Sequence, residues 1–79
     1  MDTIKEFSAK LEMEFEDLAP GSLTPETNYR DIKNWSSMYA LIIIAFVDAN
    51  YDVMLNASDL KSTETISDLY NAVLSKLKN

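Results

Sequence analysis

Apolar residues recur along the first segment at a helical step. Ile4, Phe7, Leu11, Phe15 and Leu18 are separated by 3, 4, 4 and 3 positions, while Glu6, Glu12, Glu14, Glu16 and Asp17 fall between them. The spacing predicts a helix from about Thr3 to Asp17, capped at its start by Asp2 or Thr3 and stopped by Ala19-Pro20-Gly21-Ser22 and Pro25. No period holds from there to Trp35. A connection this long in a small domain is either functional or pinned by its own apolar side chains, and Leu23, Tyr29, Ile32 and Trp35 are the candidate pins.

Ser36 and Ser37 precede the apolar run Met38 to Val47. The run suits a helix or a buried strand, and length decides for the helix: it continues through Asp48-Ala49-Asn50 without a breaker, and serine is a preferred N-cap. At about 100° per residue, Ala40, Ile43, Ile44 and Val47 share a face suited to the core, and Met38, Leu41, Ile42, Ala45 and Ala49 cluster opposite it. A turn-like stretch follows, in which Val53 and Leu55 point inward, and then Ala57 to Lys61 suits one or two helical turns. Thr65-Ile66-Ser67-Asp68 resembles a capping box. It opens a last helix with the stripe Ile66, Leu69, Tyr70, Val73 and Leu77, and with Lys76 and Lys78 at the negative end of its dipole. The expectation is all-α: a single domain over residues 1–79, built as a four-helix bundle of three longer helices and one short one.

Composition then narrows the chemistry. The 79 residues include no histidine and no cysteine, which removes the imidazole proton shuttle, Ser-His and Cys-His nucleophiles, disulfides, and every usual zinc ligand except carboxylates. Neither catalysis by side chains nor a metal site is expected. The one spacing that imitates a calcium loop, Asp48-Ala-Asn50-Tyr-Asp52 with Asp59, has Val53 where the loop needs glycine and Asp59 where it needs a bidentate glutamate. A net charge of −6 argues against nucleic acid. The strongly apolar run from Tyr39 to Val47 falls far short of the roughly 20 residues that span a bilayer, so no membrane association is expected. Met1-Asp2-Thr3 lacks the basic start and apolar stretch of a secretion signal, and the expectation is a cytoplasmic protein. The acidity is uneven: residues 1–17 carry a net −4, residues 36–58 a net −2, and the remaining segments balance. The helix after Ser37 is therefore poor in charge, with Asp48 its main one.

The ordering of several short motifs adds a further expectation. Trp35-Ser36-Ser37-Met38 opens the apolar helix, Asp59-Leu60 follows 22 residues after Ser37, and Thr65-Ile66-Ser67-Asp68-Leu69 begins 28 after it. This set, spread over essentially the whole chain, resembles the acyl carrier protein family, whose pattern is Trp-Asp-Ser-Leu, an apolar helix, an Asp-Leu pair and a Thr-Ile-x-Asp-Leu helix start. The resemblance implies that Ser37 carries 4′-phosphopantetheine through a phosphodiester, that Ser36 and Met38 flank the attachment, and that the arm's terminal thiol holds acyl groups as thioesters. It implies a non-catalytic, monomeric carrier whose partners are a phosphopantetheinyl transferase and acyl-loading, condensing and other pathway enzymes. Ser37 would be an acceptor of modification, and the free N–H groups and positive dipole end of its helix tolerate a phosphate's charge.

The chain departs from the family pattern twice. The aspartate that precedes the modified serine, which in the family helps the transferase engage through a metal ion, is Ser36 here. The outer face of the following helix, commonly acidic in the family, is mostly apolar here. Met38, Leu41, Ile42, Ala45, Asp48 and Ala49 are its candidate partner contacts, and the face points to a specialised fatty-acid- or polyketide-like pathway. The residues also leave a different class open: an unmodified carrier-fold protein or a small acidic helical adaptor that docks on one partner through this apolar helix and carries no covalent group.

Overall fold

The computed structural model describes residues 2–15, 18, 21–31 and 35–77. The expected roles of Glu16, Asp17, Ala19, Pro20, Ile32 and Lys78 lie outside them. Among the described residues there are four α-helices and no strand: α1 (Ile4–Glu12), α2 (Ser37–Tyr51), α3 (Ala57–Lys61) and α4 (Ile66–Leu77). The fold is a small all-α bundle, with the apolar stripes of α1, α2 and α4 turned to one core. Phe7, Leu11, Ile43, Val47, Ile66, Leu69 and Val73 are all removed from solvent. Each such large side chain stabilises the fold by about 1.5–3 kcal/mol relative to exposure.

Thr3, not Asp2, caps α1. Its hydroxyl accepts the Glu6 N–H at 3.2 Å while the Glu6 carboxylate accepts the Thr3 N–H at 3.0 Å, a reciprocal capping box. Asp2 instead ties the start of the chain to two other helices. Its carboxylate accepts from Lys10 at 2.6 Å and from the Tyr51 hydroxyl at 3.0 Å, and the Tyr70 hydroxyl donates to its carbonyl. Lys10 first, and the Tyr51 hydrogen bond second, hold the Asp2 carboxyl below the ordinary aspartate value. Burial first, and Asp2 second, push the Tyr51 phenol up.

Helix α1 ends at Glu12, short of the expected Asp17. Beyond Lys10 the backbone bonds tighten to a three-residue step, Met13 to Lys10, Glu14 to Leu11 and Phe15 to Glu12, at 3.0–3.2 Å. The tightening still buries Phe15. Glu12, which the periodicity puts on the polar face, is buried: its carboxylate accepts the N–H of Gly21 at 3.1 Å and of Leu23 at 2.8 Å. It thereby anchors the returning chain at a turn where Gly21 has φ of +84°, a conformation that favours glycine.

The long connection is stitched down by backbone as well as by apolar pins. Leu23 and Tyr29 are buried and Trp35 half-buried, as expected, but Tyr29–Asp31 also forms a 3₁₀ turn and Asn28 pairs with Thr65 in an antiparallel bridge. The Tyr29 N–H donates to Glu64 at 3.1 Å. The N–H groups of Ile66 and Ser67, which open α4, donate to Thr27 and Pro25 at 2.9 Å. First-turn amides that have no partner inside a helix are thus satisfied by the loop. Thr65 and Asp68 complete the start of α4, with Thr65 accepting the Asp68 N–H at 3.1 Å and Asp68 accepting the N–H groups of Thr65 and Glu64 at 3.2 Å. Those backbone donors, Thr65 before Glu64, lower the Asp68 carboxyl below its ordinary value.

Helix α2 buries Ile43 and Val47 as projected, and Phe46 besides, while Ala40 and Ile44 are half-buried. Phe46 belongs to the core because α1 presents Phe7 to it, ring centroids 5.7 Å apart and edge to face. The helix runs through Asp48 and Asn50 to Tyr51, so these oxygens stand on helical turns. Asp52 closes it in the left-handed region, φ 54°, a conformation aspartate tolerates. Val53 and Leu55 point inward as expected. α3 is capped by a second box, Asn56 with Asp59. The α4 stripe ends before Leu77, which is 42% exposed because the last turn runs past the core.

Candidate functional site

Trp35, Ser36 and Ser37 lead into α2 through a run of aromatic contacts. Tyr29 meets Trp35 at 5.5 Å between centroids, Trp35 meets Tyr39 at 5.9 Å, and Tyr39 meets Phe15 at 5.1 Å. These tilted and edge-to-face pairs fix where α2 begins relative to the loop and to the end of α1. Ser36 takes the N-cap position in extended conformation, φ −151° and ψ 173°, but its side chain makes no capping hydrogen bond. The starts of α1, α3 and α4 are each closed by a reciprocal box, whereas α2 is left open, with no acid in its first turn. Ser37, the first residue of α2, is exposed, and its hydroxyl makes no hydrogen bond among the described residues.

Ser37 also lies at the edge of a cavity of about 360 Å³ between α2 and α3. Ala40, Leu41 and Ile44 line it from α2, Ala57, Leu60 and Lys61 from α3, and Tyr29, Arg30 and Trp35 from the loop. The wall opposite α2 is held by the buried Tyr29 hydroxyl, whose single proton is within bonding reach of the Leu60 carbonyl at 2.8 Å and the Thr63 carbonyl at 2.9 Å, and which also pairs with the Thr63 hydroxyl. Arg30 adds a bond from Nη2 to the Leu60 carbonyl at 2.6 Å. The end of α3 is thus tied to the loop, and α3 is held to α4 by Lys76 and Asp59 at 3.6 Å. Both serines are exposed, but only Ser37 lines the cavity among the described residues.

The outer face of α2 divides. Met38 and Leu41 are 65% and 66% exposed, and Ala45, Asp48 and Ala49 are exposed beside them. Ile42 is half-buried and packs against the core, so it leaves the set of free surface residues. A helix with three inward residues as large as Ile43, Phe46 and Val47 needs a wide buried stripe, and Ile42 sits at its margin.

The sequence reading missed the cavity's other contributors. Arg30 carried no signal because it lies in an aperiodic loop, and Lys61 entered only as the last residue of the short helix. Leu60 was within the Asp59-Leu60 pair, and the geometry gives that pair physical content: Asp59 caps α3 by accepting the Asn56 N–H at 3.0 Å, and Leu60 is a buried part of the wall. Among the described residues no group of three or more acidic side chains converges as a cation site. No helix among them is long and apolar enough to cross a membrane. Compared with known proteins, the chain matches no family model, no curated protein and no solved structure.

Proposed function

We propose that this chain is an acyl carrier protein, with Ser37 as the attachment point of a 4′-phosphopantetheine arm. The observation that carries the reading is the placement of Ser37: an exposed, unbonded hydroxyl at the open start of α2 and on the rim of an apolar cavity. The residues fit such a group. A helix start without a side-chain cap or an acid in its first turn tolerates a phosphodiester, through its free N–H groups and the positive end of the dipole. When bound, the arm supplies the thiol that a chain without cysteine lacks. The chain has no histidine to activate Ser37, in keeping with a hydroxyl modified by another enzyme.

The chain's own contribution is tethering and presentation. A short flexible tether holds its cargo at an effective concentration of about millimolar at each docked partner. The partners are a phosphopantetheinyl transferase and the loading, condensing and other enzymes of a specialised fatty-acid- or polyketide-like pathway in the cytoplasm, met by a monomeric carrier. They engage Met38, Leu41, Ala45, Asp48 and Ala49, a surface whose single charge favours apolar docking. Ser36 supplies no carboxylate for the transferase's metal, so the reading expects a transferase that tolerates this change.

Co-expression with a broad phosphopantetheinyl transferase, followed by intact mass measurement, tests the proposal. Gain of one phosphopantetheine, lost in Ser37→Ala and kept in Ser36→Ala, supports it. Absence of the adduct with several transferases overturns it and leaves the cofactor-free adaptor, which the exposed Met38 and Leu41 favour as the second reading.

A further inference from the structure

The surface where α2 faces the loop and α3 runs against the charge of the molecule. In a chain of net −6, the charged side chains that share one opening with Leu41 are both basic, Arg30 and Lys61, and no acid lines it among the described residues. Both are exposed. Neither is spent on a carboxylate: the ion pairs among the described residues are Lys10 with Asp2 and Lys76 with Asp59. Asp31, next to Arg30 in sequence, pairs with neither cation, and Asp59 is taken by Lys76 and by the Asn56 N–H. Arg30 is held in place by a bond to the Leu60 carbonyl, and that one bond leaves most of the five N–H donors of a guanidinium available.

The acids that set the net charge stand elsewhere. Helix α2 has none in its first turn, and its first, Asp48, comes eleven residues after Ser37, about 16 Å along the helix. That is roughly twice the screening length at physiological ionic strength. Residues 1–17 hold a net −4, and none of those described lines this opening. A partner at contact range therefore meets two free cations beside Met38 and Leu41, one helical turn apart and 65% and 66% exposed.

We propose that this surface docks an acidic, apolar protein face, with carboxylates against Arg30 and Lys61 and apolar side chains over Met38 and Leu41. The sign is the reverse of what the total charge selects, because a docked face meets the local pair while the distant acids are screened. An anionic lipid surface, by contrast, meets the whole net −6 and is repelled. The inference rests on the α2 docking face and not on the arm. It is therefore tested in Ser37→Ala, where its failure leaves the carrier reading standing and failure of the carrier reading leaves it standing.

Trp35 lines the same opening and is the single tryptophan, so its fluorescence reports a docked partner. The Ser37→Ala chain is titrated, at physiological salt, with two helical peptides of equal length that share one stripe of leucines and have no aromatic residue. One flanks the stripe with glutamates and the other with lysines. The expected result is a saturable Trp35 response to the glutamate peptide and binding about tenfold weaker for the lysine peptide. Raising the salt to about 1 M weakens the glutamate peptide. Lys61→Gln, at an exposed position without a bond among the described residues, weakens the glutamate peptide about two- to fivefold. Lys5→Gln, which removes an equally exposed cation from α1, leaves it unchanged. The proposal is overturned if the lysine peptide binds as tightly as the glutamate peptide, if neither saturates, or if Lys5→Gln costs as much as Lys61→Gln. A response to phosphatidylglycerol vesicles with none to the glutamate peptide also overturns it and assigns the patch to a lipid surface. The comparison of the two peptides needs no variant at the patch, so it decides the matter even where a substitution loosens the fold.

Discussion

Replacing Tyr29 with phenylalanine removes one oxygen and keeps the ring that packs on Trp35, so it isolates the hydroxyl that ties the loop to α3. The Leu60 carbonyl keeps Arg30 Nη2 at 2.6 Å and the Thr63 hydroxyl at 3.2 Å. The Thr63 carbonyl keeps no hydrogen bond among the described residues once the bond at 2.9 Å is gone. One buried carbonyl left unsatisfied costs about 1–3 kcal/mol, and about 2 kcal/mol is the central expectation here. For a domain of this size each kcal/mol moves Tm by about 4–8 °C, so Tyr29→Phe should melt about 8–16 °C below the parent. Thermal and urea unfolding followed by far-UV circular dichroism measure this directly. Adding Thr63→Val to Tyr29→Phe should cost less than the sum of the two single changes, because both remove the same hydroxyl pair. A loss below about 0.5 kcal/mol, less than one net hydrogen bond, with additive double-variant behaviour, would refute the assignment of Tyr29 as the tie that shapes the cavity wall.

Other outcomes follow from the same geometry. Glu12→Gln exchanges a two-oxygen acceptor for an amide that can accept only one of the Gly21 and Leu23 N–H groups, and should destabilise by about 1–3 kcal/mol in urea unfolding. Asp2 and Asp68 both have folded-state values below the ordinary aspartate value of 3.8, so their stabilisation is complete above that pH and is lost as pH falls below it. Acid titration of the parent should therefore show stability falling below about pH 4, in the ordinary aspartate range, and Asp68→Asn should be less stable at pH 7 with a shallower acid limb. Leu41→Glu, at a 66% exposed position, should leave the melting temperature within a few degrees while lowering turnover by any enzyme that docks on α2. Unchanged turnover would remove the apolar docking face from the account.

α1 and α4 were legible from local signals, α2 from the length of its apolar run, and α3 only as a stretch suited to one or two turns. Thr3 and the Thr65–Asp68 box are short-range caps, and the apolar steps in α1 and α4 repeat often enough to be read, whereas the Asn56–Asp59 box was seen only in the structure. What stayed hidden depends on partners far apart in sequence. Glu12 looks like a solvent-facing acid until the Gly21 and Leu23 amides return to it, and Phe46 looks peripheral until Phe7 meets it. The bridge of Asn28 to Thr65 has no periodic signature at all. Most of the residues behind the family resemblance also have structural work: Trp35 packs on Tyr29 and Tyr39, Leu60, Ile66 and Leu69 are buried, and Asp59, Thr65 and Asp68 cap helices. Ser37 differs from them. It is exposed and its hydroxyl forms no hydrogen bond among the described residues, so packing and capping do not account for it. The candidate site was thus legible at its serine, while Arg30 and Lys61 became visible only when the loop and α3 met across the cavity.

The central claim is that Ser37 carries the arm. It is tested most directly by purifying the chain from the cells that make it, measuring its intact mass and fragmenting the peptide that spans Trp35 to Met38. The account predicts one phosphopantetheine per chain, with fragment ions that place it on Ser37 and leave Ser36 bare. A chain that comes from those cells entirely unmodified, or that carries the group on Ser36, would contradict it.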